Sequence, residues 1–153
     1  MNIFVLDNDI EVCAQYHVDK HVVKMILESA QLLSSAVRLS GIDAGYRLTH
    51  QNHPCSIWVR ESLSNWIWLR DLSAALNDEY RFRYCKDINH KSYDVVRNLP
   101  QPNIDDIGLT PSRLAMPEEY QTDDAVESYR TYYKHDKRDI AAWKNRTIPY
   151  WWE

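Results

Sequence analysis

The segment HVDKHVVKMILESAQLLSSAVRL, His17 to Leu39, reads as a helix that is apolar nearly all the way round. At 100° per residue, His17, His21, Lys24, Glu28, Gln31 and Ser35 fall within about 40° of one line. Val22, Val23, Met25, Ile26, Leu27, Ala30, Leu32, Leu33, Ala36 and Val37 cover the remainder. A surface helix shows the opposite proportions, a broad polar face and a limited apolar one. This helix is therefore expected inside the fold, where its polar stripe lines either a buried hydrogen-bond network or a catalytic cleft.

Burying such a helix takes a core. The chain has 153 residues, 44% of them hydrophobic, which is enough for one compact domain spanning 1–153. Three glycines and six prolines argue against disorder. No run of about 18 apolar residues occurs, so no membrane span is expected. Cys13, Cys55 and Cys85 are widely spaced and form no CxxC pair, and NIFVLDND lacks the basic stretch of a secretory signal. The expected compartment is a reducing cytoplasm.

Punctuation along the chain predicts a mainly α bundle. Asn2–Leu6 reads as a short strand or extended entry, and Asp9 as the N-cap of a short helix over Ile10–Tyr16. The long striped helix follows. Pro54 suits the first turn of the next helix, predicted to run unbroken from about Cys55 to Tyr84, with Asn52 a candidate cap. Asn89–Asn98 reads as another helix or helical turn. Pro100, Pro102, Pro111 and Pro117, interleaved with Asp105, Asp106, Glu118 and Glu119, mark 99–124 as an irregular acidic excursion. Asp123 or Asp124 then caps a helix from Ala125 to about Lys134, with a continuation toward Trp143 after a break, and WKNRTIPYWWE is a tail that packs back by its aromatics.

Net charge is −4, unevenly distributed: about −1 over 1–100, −6 over 101–128 and +3 over 129–153. Duplex affinity comes mostly from neutralised phosphates, so any nucleic-acid contact is expected in a local cleft. Two basic-aromatic patches suit an anionic ligand: Arg81, Arg83, Lys86, His90 and Lys91 with Tyr80, Phe82, Tyr84 and Tyr93, and Tyr129, Tyr132, Tyr133, Lys134, His135, Lys137 and Arg138. A charged helix end serves equally for the first patch. His53 and Arg60 flank a helix start able to receive a phosphate or carboxylate. His17 and His21, four apart, lack the glutamate of HExxH and have Lys20 and Lys24 beside them, so no metal is expected. There is no P-loop, dinucleotide fingerprint or GxSxG, and no cofactor is expected. Glu28 is the residue most suited to acid/base work, with His21 and Lys24 setting its protonation and pose.

In order, DKHVVKMILESAQLL, NHPCSIWVRES, WLRDLSAALNDEYRFRYCKDINHKS and SYRTYYKHDKRDIAAWKNRTIPYWW resemble a small family of phage and bacterial proteins. More distantly, their layout resembles the pyrimidine-dimer DNA glycosylases. That resemblance implies a compact helical protein in which an N-terminal amine attacks C1′ of a damaged nucleotide, forms a Schiff base, and is assisted by a glutamate, here Glu28. Arg60 and the 81–91 patch would then meet phosphates. The chain departs from that pattern at its start. Met1 is followed by Asn2, a poor residue for removing an initiator methionine, and no arginine adjoins it.

These readings converge on an enzyme of nucleotide or DNA N-glycosidic bonds. Glu28, His21 and Lys24 would be catalytic, and His17, Gln31, His53, Arg60, Arg81, Arg83, His90, Lys91 and Tyr133 would contact substrate. The alternative is a phage protein that captures a nucleotide or a host protein without chemistry, using the same cleft. A third reading makes the polar stripe a purely structural network.

Overall fold

A computed structural model describes residues 1–153. Six α-helices form a single-domain bundle: α1 (Ile10–Tyr16), α2 (Asp19–Leu39), α3 (Pro54–Glu61), α4 (Leu63–Arg83), α5 (Lys91–Arg97) and α6 (Ala125–Asp136). Helix α2 lies centrally, against α3, α4 and α5, while α1 packs on α4. Val22, Ile26, Ala30, Leu33 and Val37 of α2 and Trp66, Leu69, Leu72 and Leu76 of α4 are sealed in one continuous core. No helix is long and apolar enough to cross a membrane.

Local capping chemistry sets several boundaries as expected. Asp9 accepts the Val12 N–H to start α1, and Asp124 accepts the Val126 N–H to start α6. Helix α3 begins at Pro54, but its cap is His53, whose Nδ1 accepts the Cys55 N–H; His90 caps α5 in the same way through the Ser92 N–H. The helix predicted from His17 begins instead at Asp19. His17 closes α1, and both it and Val18 are extended, so the two histidines are not neighbours on one helix.

The predicted helix from Cys55 to Tyr84 is also divided. Ser62 is extended at φ −154° and ψ 144°. Its hydroxyl donates to Asp106 Oδ1 and accepts the Ile107 N–H. The same Asp106 oxygen takes the Ser64 N–H and hydroxyl and the Gly108 N–H, so a carboxylate from far along the chain sits at the start of α4, where the helix dipole favours it. The acidic excursion is thus docked, and irregular except for a 3₁₀ turn at Glu118–Tyr120.

Asn2–Leu6 is buried and forms neither strand nor helix. Cys13 Sγ donates to the Phe4 carbonyl and accepts the Leu6 N–H, and Arg130 Nε donates to the Leu6 carbonyl. The tail packs back as its aromatics suggested: Trp143 Nε1 donates to the Tyr16 carbonyl, and the Arg130 guanidinium lies over Tyr16, Tyr150 and Trp151. After α6 there is only a 3₁₀ turn, Arg138–Ile140, in place of a helical continuation to Trp143.

Candidate functional site

The middle of α2 opens onto a cleft of ≈ 440 Å³. His21, Lys24, Met25 and Glu28 form one wall, His53 and Pro54 at the head of α3 another, and Leu114–Met116 a third. Met1, Asn2 and Phe4 form the floor, with Tyr132 and Lys137 from the C-terminal part of the chain closing the rim.

At its centre the Met1 α-amine lies 3.3 Å from Glu28 Oε1. The same oxygen accepts the Asn2 N–H at 3.1 Å, and Oε2 faces Lys24 Nζ at 3.7 Å. Glu28 is buried while Lys24 reaches into solvent. The terminus is fixed by the Asn2 side chain. Its Oδ1 accepts from the Ile3 N–H, the Tyr129 hydroxyl and, at longer range, Cys55 Sγ, and its Nδ2 donates to the Ala115 carbonyl. A buried side chain with every polar group satisfied holds the backbone, and hence the amine, in one place.

The lining is cationic although the chain is acidic: the α-amine, Lys24 and Lys137 stand against the single carboxylate of Glu28. Lys137 Nζ lies 4.9 Å from the centre of the Tyr132 ring, and His21 stacks on Phe4 with centroids 4.5 Å apart. Burial, helped by the charges of His17, Lys137 and Lys24, pushes the His21 pKa down to about 3. Burial and the adjacent α-amine and His50 also lower that of His53. Both imidazoles are therefore neutral at pH 7. The Cys55 thiol beneath the floor is pushed up to about 11 by burial and is no nucleophile in this state.

Of the residues singled out in the sequence, His21, Lys24, Glu28 and His53 meet at this cleft. Tyr133 lies behind it, fully buried, with its hydroxyl 2.7 Å from His21 Nδ1; it positions the imidazole and cannot touch a ligand. The others lie elsewhere. His17 is wholly buried at the end of α1, its Nδ1 2.7 Å from the Cys13 carbonyl, and burial lowers its pKa to about 4. Gln31, on α2, is not among the residues that line the cleft. Arg60 closes the turn before its own helix, donating to the Gln51 carbonyl and Ser56 Oγ. Arg81 ties down the following loop through Asp87 O and, more weakly, Lys86 O and Asn89 Oδ1. His90 is a helix cap and Lys91 an exposed first-turn residue.

Arg83 is the clearest correction. It is fully buried, bonded to Glu79, Asp19 and the carbonyls of His17 and Gln15, and Glu79 is shared with Arg146 from the tail. A guanidinium with these partners holds α1, α2 and α4 together and is not free for phosphate. Trp58 and Trp66 are likewise core, their indoles donating to Thr110 O and Leu33 O.

Met1, Asn2 and the 114–116 wall were not among the predicted site residues. For Met1 and Asn2 a signal existed, the resemblance that gives the terminal amine a role. Comparison with protein families, curated proteins and solved structures gives no match. The fold and site by themselves define an all-α domain with a cationic cleft built around an amine–carboxylate pair.

Proposed function

We propose that this protein cleaves an N-glycosidic bond of a nucleotide in DNA, with the Met1 α-amine as nucleophile and Glu28 as its acid/base partner. The observation that carries this reading is the amine held 3.3 Å from a buried carboxylate inside a cationic cleft. Simple helix capping or surface ion pairing needs neither the burial nor the elaborate anchoring of Asn2. The anionic phosphates that flank a target nucleotide suit Lys24 and Lys137.

In the reaction, Glu28 takes a proton from the ammonium, freeing its lone pair. The amine adds to C1′ as the C1′–N bond breaks, and the base leaves with the bonding electrons and takes up a proton. The C1′–O4′ bond then opens, with Glu28 returning its proton to O4′, which leaves a protonated imine between Met1 and the sugar. Water hydrolyses the imine, releasing an abasic sugar and restoring the amine. The target nucleotide has to leave the base stack to reach such a cleft.

The test is borohydride trapping on abasic and damaged-pyrimidine oligonucleotides, with the mass of the intact chain confirming a free Met1 amine. Wild type is expected to form a reduced covalent adduct mapping to Met1, and Glu28→Gln to lose at least about a hundredfold in adduct formation. An N-acetylated chain is expected to form none. Tight binding by wild type and Glu28→Gln alike, with neither adduct nor free base, would refute the reading in favour of a capturing module.

A further inference from the structure

The histidines on opposite walls of the cleft share one protonation state, and hydrogen bonds fix it. His53 Nδ1 accepts the Cys55 N–H at 3.1 Å, so its proton is on Nε2. The buried Tyr133 hydroxyl accepts the Val18 N–H at 3.4 Å, and the acceptor within reach of its own proton is His21 Nδ1. His21 is therefore also an Nε2–H imidazole. The hydrogen bonds of both rings to protein run through Nδ1, which leaves each Nε2–H without a protein partner, and both residues line the cleft.

The α-amine, Lys24 and Lys137 are further donors there, whereas Glu28 Oε1 and the Ala115 carbonyl are already engaged as acceptors. Glu28 Oε1 holds the amine and the Asn2 N–H, Oε2 faces Lys24 Nζ at 3.7 Å, and the Ala115 carbonyl holds Asn2 Nδ2. A ligand with amino groups would bring further donors to a donor-lined wall, and an unpaired buried donor is costly. Cytosine and adenine carry such groups on their edges. Thymine and uracil present carbonyl oxygens instead. The volume suits a nucleoside, and Met25, Pro54 and Met116 offer apolar surface to a ring.

Resting on the N-glycosidic reading above, we propose that the cleft selects a 2,4-dioxopyrimidine as the departing base. The Nε2–H groups of His21 and His53 donate to its carbonyl oxygens. His53 and His21 are thus specificity-determining residues, and the two ring orientations are set by a helix cap and by Tyr133.

The experiment compares single-site oligonucleotides carrying uracil, 5-hydroxymethyluracil, cytosine or an abasic sugar. Two variants keep the fold's local demands. His53→Ser retains a capping oxygen but is too short to reach a base. His21→Phe with Tyr133→Phe removes both partners of a buried hydrogen bond while keeping the rings. Wild type is expected to release the dioxopyrimidines at least about tenfold faster than cytosine in kcat/KM, and the ratio is expected to fall toward one in both variants. Equal release of uracil and cytosine by wild type, alongside imine trapping on the abasic oligonucleotide, would overturn the base selectivity and leave the glycosylase reading standing. Should wild type neither trap nor cleave, that reading falls, and calorimetry with dUMP and dCMP decides the selectivity: preference for dUMP upholds it, and equal or absent binding ends it.

Discussion

Arg83→Ala tests whether the 81–91 patch is structural at its centre. The Arg83 side chain has no exposure. Its Nε donates to Glu79 at 2.9 Å, Nη1 to Asp19 at 3.0 Å and the His17 carbonyl at 2.7 Å, and Nη2 to the Gln15 carbonyl at 2.9 Å. Truncation empties a guanidinium-sized space and strips two carbonyls of a donor. Glu79 keeps Arg146, and Asp19 keeps the Lys144 N–H at 2.8 Å. Breaking a buried pair costs about 3–5 kcal/mol, a large part of the roughly 5–15 kcal/mol that holds a domain together. At about 2–4 °C per kcal/mol for a chain of this size, Tm should fall by about 6–20 °C. Urea unfolding and thermal melting of Arg83→Ala beside Arg81→Ala measure it, the latter being an exposed control expected to lose less than about 1 kcal/mol. A loss below about 1.5 kcal/mol for Arg83→Ala, combined with weaker DNA binding and a flatter salt dependence, would refute the structural assignment and restore Arg83 as a phosphate contact.

Two further perturbations follow from buried groups. His17 and His21 have pKa values lowered by burial to about 4 and about 3, so between those values and the ordinary 6.5 the unfolded chain binds protons that the folded chain does not. Stability is then full above about pH 7 and falls as pH drops, by on the order of 2–3 kcal/mol per pH unit near pH 5; urea midpoints that stay constant from pH 7 to 5 would contradict the burial of both rings. Gly45 has φ +74°, and a Cβ there would strike Ser34 Oγ and approach Leu99 Cδ2 to 2.6 Å, whereas Gly41 at φ +99° faces open space. Gly45→Ala should therefore cost at least about 1 kcal/mol more than Gly41→Ala in chemical denaturation, and equal losses would show that the loop over Ser34 is not packed as described.

Glu28 and its neighbours show how far residue patterns reach. The polar stripe of α2 was legible because helix periodicity depends only on residues within a few turns, and it brought His21, Lys24 and Glu28 to one line. The caps at Asp9 and Asp124 and the start at Pro54 were legible for the same reason, since a cap bonds to an N–H two or three residues away. His17 was misplaced because two extended residues separate α1 from α2, and nothing in the apolar spacing records that break. The division at Ser62 depends on Asp106, 44 residues later.

The sequence alone thus determined the helical class, the one-domain size, the irregular acidic excursion and a carboxylate on the inner face of the longest apolar helix. Tertiary structure decided what that carboxylate meets. Asn2 is anchored by Tyr129 and Ala115, 127 and 113 residues away, and this brings the Met1 amine to Glu28. Tertiary structure likewise drew Arg83 away from any ligand by supplying partners from α1, α2 and its own helix. Short-range periodicity fixes which face a side chain occupies, but the identity of its partner is set by chain segments whose separation no local pattern encodes.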